Sequence, residues 1–241
     1  MTDAAPHRHF HEDLSTLKAR LLQMSADAQA ALDASLSALA QRDAAKATAV
    51  VDGDQGVDTA EVGIEETIIH LLATQQPMAK DLRFLMAAMK IANDLERVGD
   101  HAVNIAQSAQ RLAQDRLVTL VPELSEIARQ SQRMLADALE AFIRGDATAA
   151  RAVCRRDDTV DALHRSIFRI VLTHMMENPK TITPGIEMML ASRNLERVAD
   201  LATNIAEDVV FMVEGRSIKH GADGREASVS PSSSASRPPG S

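Results

Sequence analysis

Asp94-Leu95-Glu96-Arg97-Val98-Gly99-Asp100-His101-Ala102-Val103-Asn104-Ile105-Ala106 returns 100 residues later as Asn194-Leu195-Glu196-Arg197-Val198-Ala199-Asp200-Leu201-Ala202-Thr203-Asn204-Ile205-Ala206. Leu, Glu, Arg, Val, Asp, Ala, Asn, Ile and Ala are identical between the copies. Leu95, Val98, Ala102 and Ile105 fall at the spacing of one helical face and read as a buried seam. Glu96, Asp100 and Asn104 step by four and line a second, polar face of the same helix. Packing accounts for the first set. A surface needed only for solubility has no reason to repeat the same carboxylates, so the second set points to binding.

The chain around this repeat has 241 residues, 45% of them hydrophobic but only 2% aromatic, with neither Trp nor Tyr. That mixture favours helices packed through aliphatic contacts over sheets. A net charge of −8 argues against a nucleic-acid partner, whose phosphates need a basic face. The one cysteine, Cys154, cannot form an internal disulfide; it reads as a small packed residue in a reducing cytoplasm. No secretory h-region opens the chain, and no apolar run approaches the ~18 residues of a membrane span. Any contact with a membrane is expected to run through a partner.

Breaks at Arg42-Asp43, Gln76-Pro77, Gly145-Asp146 and Asn178-Pro179, with Pro122 opening the fourth helix, divide the chain into six long helices. Asp43 is a candidate N-cap, and Thr183-Pro184 reads as the cap and first residue of the sixth helix. Glycines at 53, 56 and 63 weaken the second helix. Leu32, Leu36, Leu39, Asp43, Val57 and Ile64 match Leu135, Leu139, Phe142, Asp146, Val160 and Ile167 at an offset of 103. The expectation is an all-α fold of two tandem, pseudo-symmetric three-helix bundles, residues 10–115 and 121–214. A Ser- and Pro-rich tail, 216–241, is disordered by composition.

The second helix of each unit carries its own acidic pair, Asp54 with Asp58 and Asp157 with Asp161. Residues equidistant from a helical turn lie level. Asp58 with Glu96, and Asp54 with Asp100, are centred on Pro77. Asp161 with Glu196, and Asp157 with Asp200, are centred between Asn178 and Pro179. Four carboxylates thus converge in each unit if the faces adjoin, and like charges so placed must share protons, pair with arginine or bind a cation. The plainer alternative is a solvated face in which Arg97 and Arg197 pair with Asp100 and Asp200. An all-oxygen set, with Asn104 and Asn204 as outer members, suits hard ions such as Mg²⁺, Mn²⁺, Ca²⁺ or iron, with room for more than one ion. His101 and His164 lie near these faces, each in one unit only.

The doubled Leu-Glu-Arg-Val-Gly/Ala-Asp-x-Ala-x-Asn-Ile-Ala resembles the PhoU family of phosphate-signalling proteins, as do the Phe10-x-x-x-Leu14-x-x-Leu17 opening and Gln-Gln-Pro77 before the third helix. The resemblance implies acidic motifs that hold clusters of iron, zinc, magnesium or manganese, here Glu96–Asp100 and Glu196–Asp200 facing Asp54–Asp58 and Asp157–Asp161. It further implies a cytoplasmic homodimer with no catalytic residues. Such a protein couples the ATPase subunit of a phosphate ABC transporter to a sensor histidine kinase and represses the phosphate-starvation response when phosphate is ample. Asn194 replaces Asp94 in the second copy, a departure that weakens the second site. Gly-rich phosphate loops and Ser/Cys–His nucleophile pairs are missing from the sequence. A di-iron carboxylate enzyme needs Glu-x-x-His pairs, and Asp161-x-x-His164 comes nearest. A metal-free helical scaffold is the remaining alternative.

Overall fold

The computed structural model describes residues 5–53, 55–114 and 119–218, with side chains from Phe10 onward except that of Gln55. In order come α1 (Ala5–Gln41), α2 (Ala44–Asp52), α3 (Gln55–Gln75), α4 (Ala79–Gln114), α5 (Pro122–Arg144), α6 (Ala147–Cys154), α7 (Asp157–Glu177), a 3₁₀ turn (Pro179–Thr181) and α8 (Ile182–Glu214). The described residues contain no strand. The all-α architecture follows from the apolar stripes. Leu17, Leu21, Met24 and Leu32 of α1 and Leu124, Ile127, Met134 and Leu135 of α5 are all buried.

The second helix of each unit is interrupted, which the apolar periodicity did not reveal. α2 ends before Gly53, and α6 ends before Arg155-Arg156, at the corresponding point of the other unit. Since no glycine stands at the second break, the glycine at the first is not its cause; both units turn there. The turn makes Asp157 the first residue of α7 and puts Asp58 in the first turn of α3. Free N–H groups at a helix start favour carboxylates.

Asp43 and Asp146 are true N-caps, each accepting from two backbone N–H groups of the helix that follows. The start of the sixth long helix differs from expectation. Thr183 is not its cap: Asn178 caps the 3₁₀ turn by accepting from Lys180 N at 3.1 Å, and α8 begins at Ile182. Pro184 lies in its first turn, where a missing N–H costs nothing. Gly185 is buried on α8, and a Cβ there would press into Met175 and Val171 of α7.

α4 and α8 form the centre. Lys90 pairs with Asp208 and Arg111 with Glu187, each at 3.2 Å, so the two helices run antiparallel. α1, α2 and α3 pack around α4, and α5, α6 and α7 around α8. One cluster of buried residues runs through both sets. Cys154 belongs to its margin, and burial, then the Glu207 carboxylate, push its thiol up to about 11. Its reaction with a thiol reagent at pH 8 is expected to be at least about a hundredfold slower than that of free cysteine. A rate matching the free amino acid would contradict this packing.

Candidate metal centre

Asp161 lies one turn into α7, level across the hairpin with Glu196 of α8, and Asp200 follows Glu196 by one turn. One carboxylate oxygen from each of these three residues comes within 4.8 Å of the others, and all three side chains are half-buried. Asp157 stands beside them and accepts from Thr203 Oγ1 at 3.2 Å. Burial raises the pKa of Asp200 above the usual carboxylate range, with Glu196 adding repulsion. Asp157 is raised in the same way by burial and then by Asp200. Both shifts persist although Arg197 and Thr203 act against them.

Two arginines act as counter-ions: Arg165 Nη1 lies 3.4 Å from Asp161 Oδ2, and Arg197 serves the other two acids. Arg197 Nη1 donates to Asp200 Oδ2 at 2.8 Å, and its Nε is 3.5 Å from Glu196 Oε2. Its side chain is half-exposed, so it can swing out into water. The three converging oxygens and their residual repulsion fit a hard cation held by carboxylates. None of the three converging residues offers the thiolate that softer metals prefer.

The first unit is arranged differently. Burial raises the pKa of Glu96, and Asp100, Glu61 and Asp58 repel it in that order, which gathers four acids on the α3–α4 face. Asp54 lies outside the described residues. Among the described residues, the second unit alone brings three ligand atoms to cation spacing. Glu61 was missed from sequence because His164 takes its place in the other unit. Its signal was level-matching: Glu61 and Asn93 are centred on Pro77, and Asn93 Nδ2 donates to Glu61 Oε1 at 3.2 Å.

Arg97 turns to Asp94, at 3.8 Å, and also reaches a groove that Asp157, Arg197, Asp200 and Asn204 line. Asn104 is exposed on α4, and among the described residues no contact ties it to the acids. Neither histidine joins the acids. His101 Nδ1 lies 2.9 Å from Asn194 Oδ1, and His164 Nδ1 lies 2.8 Å from Ser192 Oγ. Asn194, where the first copy has Asp94, therefore serves the contact between α4 and α8.

The PhoU domain model matches residues 21–109 and again 124–209. The phosphate-specific transport system accessory protein PhoU homolog of Caulobacter vibrioides is 38% identical over 212 residues, covering 88% of this chain and 92% of that protein. The chain belongs to the PhoU family. The Serratia marcescens accessory protein is 34% identical, with 88% and 87% covered. The crystal structure of PhoU from Pseudomonas aeruginosa superposes with a TM-score of 0.83 at 35% identity, over 86% of this chain and all of that one. The phosphate transport system regulatory protein PhoU of Streptococcus pneumoniae gives 0.79 at 28% identity, with 86% and 98% covered. These relatives are named as accessory and regulatory proteins, and the family is not one of enzymes. No described helix is long and apolar enough to cross a membrane.

Proposed function

We propose that this chain is a metal-binding accessory protein of a phosphate-specific transport system. Its two units, 10–115 and 121–214, join the transporter's ATPase subunit to a sensor histidine kinase in the cytoplasm and hold the starvation response off when phosphate is ample. It acts as a homodimer, and its ligands are Glu196, Asp200, Asp157 and Asp161 in one unit and Glu96, Asp100, Asp54 and Asp58 in the other. The observation that carries the reading is the convergence of Asp161, Glu196 and Asp200, in a chain so similar to named accessory proteins.

A bound hard cation would supply the positive charge that these acids lack. Asp161 reaches from α7 and Glu196 with Asp200 from α8, so holding one ion ties the two helices together. Arg197, released from Asp200, would then be free to meet an acidic partner surface. A metal-free scaffold is favoured by the existing pairings of Arg197 with Asp200 and of Arg165 with Asp161.

Binding of the full chain to the ATPase subunit and to the kinase's cytoplasmic part decides between the two. In the presence of Mn²⁺, affinity for one of them is expected to exceed that in chelator by about tenfold, a usual coupling. A Glu196→Gln, Asp200→Asn variant should lose the difference. Equal affinity with and without metal supports the scaffold, and binding to neither partner overturns the adaptor reading.

A further inference from the structure

We propose that a groove at one end of the central helix pair, away from the acidic faces, receives an acidic amphipathic helix from a partner protein. The groove, about 510 Å³, lies where the start of α4 meets α1 and the ends of α5 and α8. Its floor is aromatic. Phe84 of α4 and Phe142 of α5 stack with centroids 6.4 Å apart. Ile143 stands on its edge with 60% of its surface in solvent. Lys18, Lys80, Arg83 and Arg144 rim it against one carboxylate, Asp81. Lys18 sits 5.0 Å over the Phe84 ring, and Glu140, one turn before Arg144, shares that arginine's charge.

The molecule contains its own control. The offsets that relate the two units place an equivalent junction at the other end of α4 and α8. There Phe84 becomes Pro184, Phe142 becomes Leu39, and Ile143 becomes Ala40. Arg83 becomes Thr183, Arg144 becomes Gln41 and Lys18 becomes Val121, while Lys80 becomes Lys180 and Gly145 becomes Arg42. The fold therefore forms this junction without an aromatic floor or a rim of four cations. Where both occur, on a chain of net charge −8, they match a ligand with apolar anchors and negative flanks. Amphipathic helices seat in apolar grooves in this way, through anchors at i, i+4 and i+7. The chain's own tail from 219 to 241 is a poor occupant, for Val229 is its one large apolar side chain.

The probe is a synthetic helical peptide with Leu at those spacings and Glu elsewhere, beside the same peptide with Lys for Glu, read by fluorescence anisotropy on the full chain. The Glu peptide is expected to bind and the Lys peptide not. Ile143→Glu, at an exposed position that leaves the helical spectrum intact, should weaken the Glu peptide by about tenfold or more. A Lys80→Glu, Arg144→Glu variant should reverse the preference. Equal binding of both peptides, or no effect of Ile143→Glu, overturns the proposal. So does a dimer in sedimentation that Ile143→Glu dissociates while neither peptide binds, which would make a second copy the occupant. Binding to anionic lipid vesicles in place of the peptide overturns it as well. The variants leave the acidic cluster untouched, so this proposal and the metal-dependent adaptor fail separately.

Discussion

Mn²⁺ at about a hundred times its Kd is expected to raise the melting temperature of the full chain by ~5–10 °C. A ligand at that excess stabilises the folded state by about 2.7 kcal/mol, and a chain of this size gains ~2–4 °C per kcal/mol. The apo variant shows whether the acids are the cause. Asp200 has its pKa raised by burial and by Glu196, so the folded state holds its proton more tightly than the unfolded state does. For such an acid, stability is present at low pH and is lost as pH climbs from the ordinary carboxylate range through the raised value. At pH 7 the ionised cluster therefore costs stability. Glu196→Gln with Asp200→Asn removes that repulsion and also an ion pair to half-exposed Arg197, worth only about 0–1 kcal/mol. Arg197 already fails to restore the ordinary pKa of Asp200, so burial of its charge together with repulsion is the larger effect. The variant without metal should melt no lower than the parent at pH 7, and any gain should fade as pH falls toward 4. With Mn²⁺ it should show no rise. An equal rise in both proteins, or none in either with Mn²⁺, Mg²⁺ or Fe²⁺, rules out the Asp161–Glu196–Asp200 site.

The acids of that site were legible because a hairpin makes position along the chain into height. Asp161 and Glu196 could be matched by counting from the turn alone. The count also predicted similar clusters in both units, and the geometry is closer in the second. The arithmetic fixes level but not rotation about the helix axis, and the breaks before α3 and α7 reset that rotation. Helix starts were read less well for a related reason. Thr183 followed by Pro184 is a sound local signal, but Asn178 had already opened a 3₁₀ turn that runs straight into α8. Least legible was the contact between the halves. Periodicity shows that α4 and α8 each bury a face, yet nothing in either stretch announces that Arg111 will meet Glu187 or His101 Asn194. Those pairs depend on how the two units dock, which is set by the whole apolar surface.

Replacing Lys90 with Leu is expected to destabilise the protein by about 3 kcal/mol, and replacing Asp208 with Ser in the same chain is expected to restore most of the loss. Asp208 is 1% exposed, and Lys90 Nζ lies 3.2 Å from its Oδ1. Removing one partner of a buried pair costs about 3–5 kcal/mol, because the other is left charged in a poorly solvated place. Lys90 is half-exposed, which puts the effect at the lower end. Asp208→Ser alone leaves an ammonium that can extend into water, resting 5.3 Å over the Phe211 ring, and should cost about 1 kcal/mol. The unit-to-unit offset turns Lys90 into Leu190 and Asp208 into Ser108. The double variant therefore copies the arrangement that the molecule already uses at its other end, where Ser108 is buried and Leu190 stands partly in solvent. Urea unfolding of the four proteins measures this as a double-mutant cycle. A coupling near 3 kcal/mol that favours the double variant is the expected result. Additive losses would mean that Asp208 is held by its other neighbours and that Lys90 only covers it.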